Sequence, residues 1–191
     1  MNEHYTSDMT FDAALLAEQP IERGVFEECH FTGCDFSGHD FSGNTFIDTT
    51  FSQCNLSLVP LMQTGFRDVE FSHCKMLGLR FDTCDRFGIS FSFDHCQLDH
   101  SSFYQIQLKK NLFRSTRLVE ADFTESDLTE ALFDDCDLSG ALFSRSILVK
   151  ADLRTSTGYT IDPESNNLKK AKFSLSGIPG LLYKYGIEIA L

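Results

Sequence analysis

Large apolar side chains recur every five residues along most of this chain. Between Cys34 and Phe51, the segments CDFSG, HDFSG, NTFID and TTFSQ each have a central phenylalanine. These central positions continue to Phe81, and a second run with the same period extends from Leu98 to Leu153. A period of five fits neither the 3.6-residue turn of a helix nor the two-residue alternation of a strand. The pattern therefore predicts a chain that turns every five residues.

Small or thiol side chains precede the central residues by two positions, and all seven cysteines occupy this slot. Asp, Asn, Ser, Thr and Gly, which favour turns, fill much of the remainder. The pattern predicts an all-β fold, a quadrilateral β-helix in which each pentapeptide forms one side and four form a coil. Roughly seven coils at about 4.8 Å each would give a rod about 35 Å long.

We expect three segments along the chain. Residues 1-24 form an N-terminal cap, because an open solenoid end exposes unpaired strand edges. Residues 25-175 form the β-helix, with an irregular loop or bulge at 82-95 around Arg86, Phe87 and Gly88. The phase of the repeat slips there, and a gain of two, seven or twelve residues would explain the slip. Residues 176-191 form a short helix and a tail.

The C-terminal segment combines helical spacing with surplus apolar side chains. Pro179 near its start and Gly186 at its end fit the helix boundaries. Because a two-fold dimer is the commonest use of such surface, we expect a homodimer through the C-terminus. The expected interface consists of Ile178, Leu181, Leu182, Tyr185, Ile187, Ile189 and Leu191.

Residues twenty apart stack on the same side of such a coil, so the sequence predicts a charge map. Glu28, Asp48 and Asp68 form one acidic column. A second acidic side carries Asp99, Glu120 and Asp137. The slip leaves open whether the second side continues the first, and both are expected to bind a partner.

Composition limits the class of partner. The net charge of -12 argues against a nucleic-acid ligand, which needs cationic side chains for its phosphates. It suits a basic protein partner, although acidic surfaces often serve only solubility. No apolar run is long enough to span a bilayer, so we expect a soluble, cytoplasmic protein that does not bind membranes.

Residues for catalysis, cofactors or metals are not evident. The chain has no phosphate-binding glycine motif, nucleophile elbow or zinc-protease motif, so no enzyme and no cofactor are expected. The cysteine count is odd and no CxxC pair occurs, while the six histidines show no ligand spacing. Small buried thiols therefore explain the cysteines better than disulfides or a metal site.

The repeat motif, approximately A(D/N)LXX with Cys, Ser or Thr allowed first, covers residues 26–157 and resembles the pentapeptide-repeat proteins. The segments HCKMLG, SSFYQIQL, ADFTESDL and KKAKFSL look most like the topoisomerase-protecting Qnr, MfpA and albicidin-resistance group.

This resemblance implies a right-handed coil and end-to-end dimers. It also implies DNA mimicry towards DNA gyrase or topoisomerase IV, which limits poisoning by quinolones or albicidin-like toxins. The large loops of the Qnr proteins are missing, which favours an albicidin-like toxin. The alternative is a structural or protein-interaction scaffold with no topoisomerase role.

Overall fold

Each pentapeptide forms one side of a four-sided coil in the computed structural model, which describes residues 4–18 and 20–189. The central side chain points inward, as Phe26 does with 2% of its surface exposed. Two residues later the backbone takes a positive φ, 52° at Glu28, and turns the corner. The amide of this corner residue donates to the carbonyl of Ile47 in the next coil at 3.0 Å, which holds the turn.

Short parallel strands run along two of the four sides, which we call face A and face B. Face A carries a four-stranded sheet in the order β1-β3-β5-β7, and face B a seven-stranded sheet in the order β2-β4-β6-β8-β9-β10-β11. The strands are β1 His4–Ser7, β2 Thr10–Phe11, β3 Gly24–Glu27, β4 His30–Thr32, β5 Thr45–Ile47, β6 Thr50–Ser52, β7 Gly65–Arg67, β8 Val69–Ser72, β9 Phe91–Asp94, β10 Leu112–Arg114 and β11 Leu132–Asp134.

Isolated parallel bridges connect the coils on the other two sides. Face C, which follows face B along the chain, is bridged from Asp35 to Asn55 and onward, and face D from Arg80 to Ser102 and onward. The strands describe about six turns, and bridges continue the stacking of face B as far as Lys172. The predicted quadrilateral β-helix is confirmed.

Phenylalanine rings fill the interior in continuous ladders. Phe113 and Phe133, one coil apart, stack with ring centroids 4.8 Å apart and planes 3° apart. Phe113 also meets Phe123, which lies two sides further along the coil on face D, edge-on at 6.0 Å. Both geometries suit the quadrupole of the ring, and each pair adds about 0.5–1.5 kcal/mol beyond burial. Coil stacking and core packing are therefore the same set of contacts.

Where the small slot holds Cys, Thr or Ser, its side chain in most coils donates a hydrogen bond to the coil before it. Cys54 Sγ donates to the carbonyl of Phe31 at 3.4 Å, and Thr49 Oγ1 donates to that of Phe26 at 3.1 Å. All seven cysteines are buried and free, and burial raises the pKa of the Cys34 thiol to about 12. They are therefore small core residues shielded from solvent.

The slip in the repeat is an insertion on face A. Phe71 pairs with Phe93, a step of twenty-two residues instead of twenty, so the chain has gained two residues rather than seven or twelve. A 3₁₀ turn, Phe81–Thr83, precedes the insertion. The coil resumes at Ser90, whose amide donates to the carbonyl of Phe66 at 2.9 Å. Residues 84–90 form a loop between these points.

Both ends of the rod are built from the chain itself. Strands β1 and β2 stack on β3 and β4, and helix α1, Ala13–Glu18, buries Leu16 against the core. At the other end a 3₁₀ turn, Leu175–Gly177, leads into α2, Ile178–Leu182, and a last turn, Tyr183–Tyr185. The predicted short C-terminal helix is confirmed. Across residues 4–18 and 20–189, no helix has the length and apolar character needed to cross a membrane.

Candidate interaction surface

Four carboxylates form a column along the corner between faces A and B. Glu28, Asp48 and Asp68 stand at equivalent corner positions in successive coils, and Asp8 adds a fourth at the N-terminal end; all have φ between 46° and 52°. Their side chains are exposed, and none of the four makes an ion pair with another described residue. We call this column the acidic edge.

Backbone hydrogen bonds fix the acidic edge from coil to coil. The amides of Asp8, Glu28 and Asp48 donate to carbonyls of the following coil at 2.9–3.1 Å. Asp68 Oδ1 accepts a hydrogen bond from Ser90 Oγ at 2.9 Å, which connects the edge to the end of the loop. The carboxylates are thus held at the coil spacing of about 4.8 Å by a rigid backbone.

Two side chains on face A, Glu27 and Arg67, lie beside the acidic edge. Glu27 accepts a hydrogen bond from the Tyr5 hydroxyl, and this bond to a carboxylate raises the pKa of Tyr5 above its ordinary value. Arg67, half-buried beside Asp68, pairs with Asp85 of the loop at 3.6 Å. Arg67, the one arginine in strands β1, β3, β5 and β7, is therefore directed towards the loop.

The second predicted acidic side lies at the diagonally opposite corner of the rod. Corners follow one another every five residues, so Glu120, two corners after Lys110, shares its column with His100 and Leu58 on the C–D corner. The acidic edge instead lies on the A–B corner. The two predicted acidic sets are therefore separate surfaces, which the sequence left open.

Each member of the second set also contacts a local partner. Asp99, only 7% exposed, pairs with Arg117 at 2.6 Å and accepts the amide of Val119 at 3.2 Å. Glu120 lies 3.2 Å from the ring of His100. Asp137 accepts hydrogen bonds from the amide and the hydroxyl of Ser139, at 3.0 and 2.6 Å. These carboxylates mainly stabilise turns and coil contacts.

The inserted loop presents an aromatic ring beside the acidic edge. Phe87 is 77% exposed, and the Arg67 guanidinium lies over its ring, 5.6 Å from the centroid. Gly88 has φ +66° and packs near the stem of Arg67, while Arg86 is exposed. The loop thus places a large apolar side chain on face A, midway along the rod.

The C-terminal residues divide into a buried and an exposed group. Ile178, Leu181 and Leu182 are half-buried, and Leu181 packs against the core. Tyr185, Ile187 and Ile189 are exposed, and the Tyr185 hydroxyl donates to Glu164 at 2.8 Å. Leu191 lies outside the described residues. Exposed Tyr183 adds to the apolar surface at this end.

Sequence reasoning overlooked Asp8, because residues 1-24 were assigned to a cap. Its spacing of twenty from Glu28 was the available signal. The described residues include no group of three or more His, Cys, Asp or Glu side chains arranged to hold a metal ion. A cleft of about 630 Å³ opens at the N-terminal end between Phe11, Ile21 and Phe26.

Comparison with known proteins agrees with this architecture. A family model described as a pentapeptide repeat region matches residues 25–92 and 89–160. No curated protein matches the sequence significantly.

Among solved structures, a trypsin-treated variant of QnrB1, described as a plasmid-mediated fluoroquinolone resistance protein, is similar with a TM-score of 0.65 and 19% identity. The match covers 97% of each chain. HetL from a Nostoc cyanobacterium, a pentapeptide repeat protein involved in heterocyst differentiation regulation, matches more weakly. Its TM-score is 0.36 at 16% identity, over 80% of this chain and 87% of that one. With its repeat matched over most of its length, the chain belongs to the pentapeptide repeat family.

Proposed function

We propose that this protein is a non-catalytic DNA mimic that binds a type II topoisomerase, DNA gyrase or topoisomerase IV, and protects it from quinolones or albicidin-like toxins. The acidic edge carries the proposal. A basic DNA-binding channel recognises a regular row of anionic groups, and the edge offers such a row on a rigid rod. Solenoid faces are convex, so they favour this kind of contact over the enclosed pocket that catalysis requires.

The spacing of the acidic edge is wider than that of the phosphates along one strand of DNA. Its carboxylates repeat at about 4.8 Å, whereas phosphates repeat at about 3.4 Å along one strand of duplex DNA. The edge is therefore less densely charged than DNA. Its affinity for a basic channel should still fall as the salt concentration rises, because the attraction is between opposite charges. A solved protein of the same fold, QnrB1, is described as conferring fluoroquinolone resistance, which is consistent with this partner.

The loop and the C-terminal tail complete the proposed surface. Phe87 would anchor the rod, because exposed aromatic side chains that become buried contribute strongly to protein interfaces. The exposed side chains of Tyr183, Tyr185, Ile187 and Ile189 would join two copies end to end. The dimer would present two acidic edges in symmetry-related positions.

The test is supercoiling by purified gyrase, and separately decatenation by topoisomerase IV, with increasing amounts of the protein. Each assay is run with and without a quinolone or albicidin. We expect activity to be rescued in the presence of the inhibitor, or inhibited at high dose in its absence. No effect in any arm, with the protein folded, would contradict the proposal and favour the alternative of an interaction scaffold without a topoisomerase role.

Charge reversal at the edge provides the residue-level test. Glu28→Lys with Asp48→Lys should abolish the effect without unfolding the rod, because lysine occupies the same corner conformation at Lys110, with φ 60°. The matched control, Glu120→Lys with Asp135→Lys, makes the same charge change at exposed corners elsewhere and should retain activity. Equal loss in both variants would mean that net charge acts, and not the edge.

A further inference from the structure

The A–B corner changes sign where the loop interrupts the repeat. On the N-terminal side of the loop this corner carries carboxylates. On the C-terminal side the corresponding positions are occupied by Lys110, Lys150 and Lys170, with φ of 60°, 58° and 62°. The register is continuous across the loop, because Asp68 lies three residues before Phe71 and Lys110 three before Phe113, and both phenylalanines pair with Phe93. One corner thus carries an acidic half and a mainly basic half.

The basic half retains uncompensated charge. Lys150 pairs with Glu130 at 2.5 Å, and Lys109 on face A pairs with Asp127 at 3.2 Å. Lys110, Lys169 and Lys170 are exposed and form no ion pair within the described part of the chain. This half of face A and its corner therefore carry five lysines and two carboxylates.

The acidic half has the opposite balance over the same length. This half carries one arginine, Arg67, and five carboxylates: Asp8, Glu27, Glu28, Asp48 and Asp68. Each half spans three coil steps, about 14 Å at about 4.8 Å per coil. Since this exceeds the screening length of about 8 Å at physiological salt, a partner experiences two separate fields with Phe87 between them.

We propose that face A is a bipolar docking surface, which fixes the direction in which the rod lies on its partner. The partner surface would be basic opposite the first four coils and acidic opposite the lysines, with an apolar recess for Phe87. This inference rests on the proposed function, since the partner is the same topoisomerase. It changes the nature of the mimicry: only the N-terminal half replaces DNA, and the C-terminal half binds acidic protein surface.

A uniform mimic and a bipolar one predict opposite effects of the same substitution. Lys110→Glu with Lys170→Glu makes the whole corner more acidic, so a uniform mimic would bind more tightly. A bipolar surface would bind more weakly, roughly three- to tenfold, because two favourable contacts become repulsive. Glutamate is compatible with this corner, as Glu28 and Glu130 have φ of 52° and 61°.

The experiment measures the dissociation constant of each labelled full-length variant for purified gyrase, and for topoisomerase IV. Lys75→Glu, an exposed lysine on face C, is the control for charge change away from the face. Circular dichroism melting checks that all variants fold. Weakening in the double variant, with Lys75→Glu unchanged, is the expected result.

The other outcomes separate the two proposals. Binding of the wild-type protein together with unchanged or tighter binding of the double variant overturns the bipolar surface and leaves the proposed function intact. Weakening by Lys75→Glu in proportion to its charge change, which is half that of the double variant, also overturns it, because the effect then follows net charge. Absence of wild-type binding to both enzymes rejects the proposed function, and the bipolar surface with it.

Discussion

Replacing Phe123 with alanine tests whether the phenylalanine ladders hold the rod together. Phe123 is fully buried. Its ring stacks on Phe103 and Phe143, each at 5.1 Å between centroids, and meets Phe113 and Phe133 edge-on at 6.0 and 5.7 Å. Removing the ring leaves a cavity that connects three coils, so the loss acts on both interfaces of the central coil.

The expected cost is about 4–5 kcal/mol, the upper part of the range for Phe→Ala in protein cores. Phe123→Leu keeps most of the volume and loses mainly the two stacked contacts. At about 0.5–1.5 kcal/mol each, it should cost roughly 1–3 kcal/mol. Leucine already fills equivalent central positions at Leu118 and Leu128. The assay is urea unfolding followed by far-ultraviolet circular dichroism, with the midpoint and slope compared between variants.

Phe143→Ala supplies the internal control. Among the described rings Phe143 stacks only with Phe123, and it is 7% exposed, so its loss should cost less, about 3 kcal/mol. Because a solenoid is stabilised mainly by contacts between neighbouring coils, position along the rod should affect the result. A cost below about 0.5 kcal/mol for Phe123→Ala, within the range of ordinary surface changes, would refute the continuous ladder.

Three further predictions concern the small slot, acid stability and the dimer. Thr49→Val removes the hydroxyl that two carbonyls accept from and should cost about 1–3 kcal/mol, whereas Thr49→Cys should melt close to the wild type; equal melting of all three proteins would contradict this. Hydrogen bonds hold the pKa of Asp152 at about 2, below its ordinary 3.8, so its contribution to stability is present above pH 3.8 and is lost as pH falls towards 2. Asp152→Asn should flatten the unfolding free energy in that window, and an unchanged pH profile would argue against it. Ile187→Asp with Ile189→Asp should sediment as a monomer if the tail is the dimer interface, and a dimer of unchanged stability would exclude that interface.

The repeat made the coil predictable because one residue type at a fixed period determines which side chains are buried. The small slot at Cys34 or Thr49 followed from the same period, since equivalent positions have equivalent surroundings. The stacking arithmetic also placed Glu28, Asp48 and Asp68 on one corner. Each prediction required only a count of residues within one uninterrupted run.

The relative positions of residues on opposite sides of the insertion could not be predicted by counting residues. A gain of two residues returns Lys110 to the corner of Asp68, whereas a gain of seven would have moved it to another corner. The hydrogen bonds around the loop decide between the two gains, and no repeating pattern in the sequence predicts those bonds. The pairing of Asp99 with Arg117 was equally hidden, because it depends on rotamers.

The corner conformation allows the surface of the rod to change in evolution while the fold is kept. Among the described residues, Asp, Glu, Lys, Arg, Gln, His, Ser and Leu all occupy corners with positive φ, although this conformation ordinarily costs a side chain about 1–2 kcal/mol. The amide of the corner residue bonds the next coil whatever its side chain is. A single codon change at a corner can therefore alter the charge that a partner meets without altering the core, and new specificities can evolve on an unchanged rod.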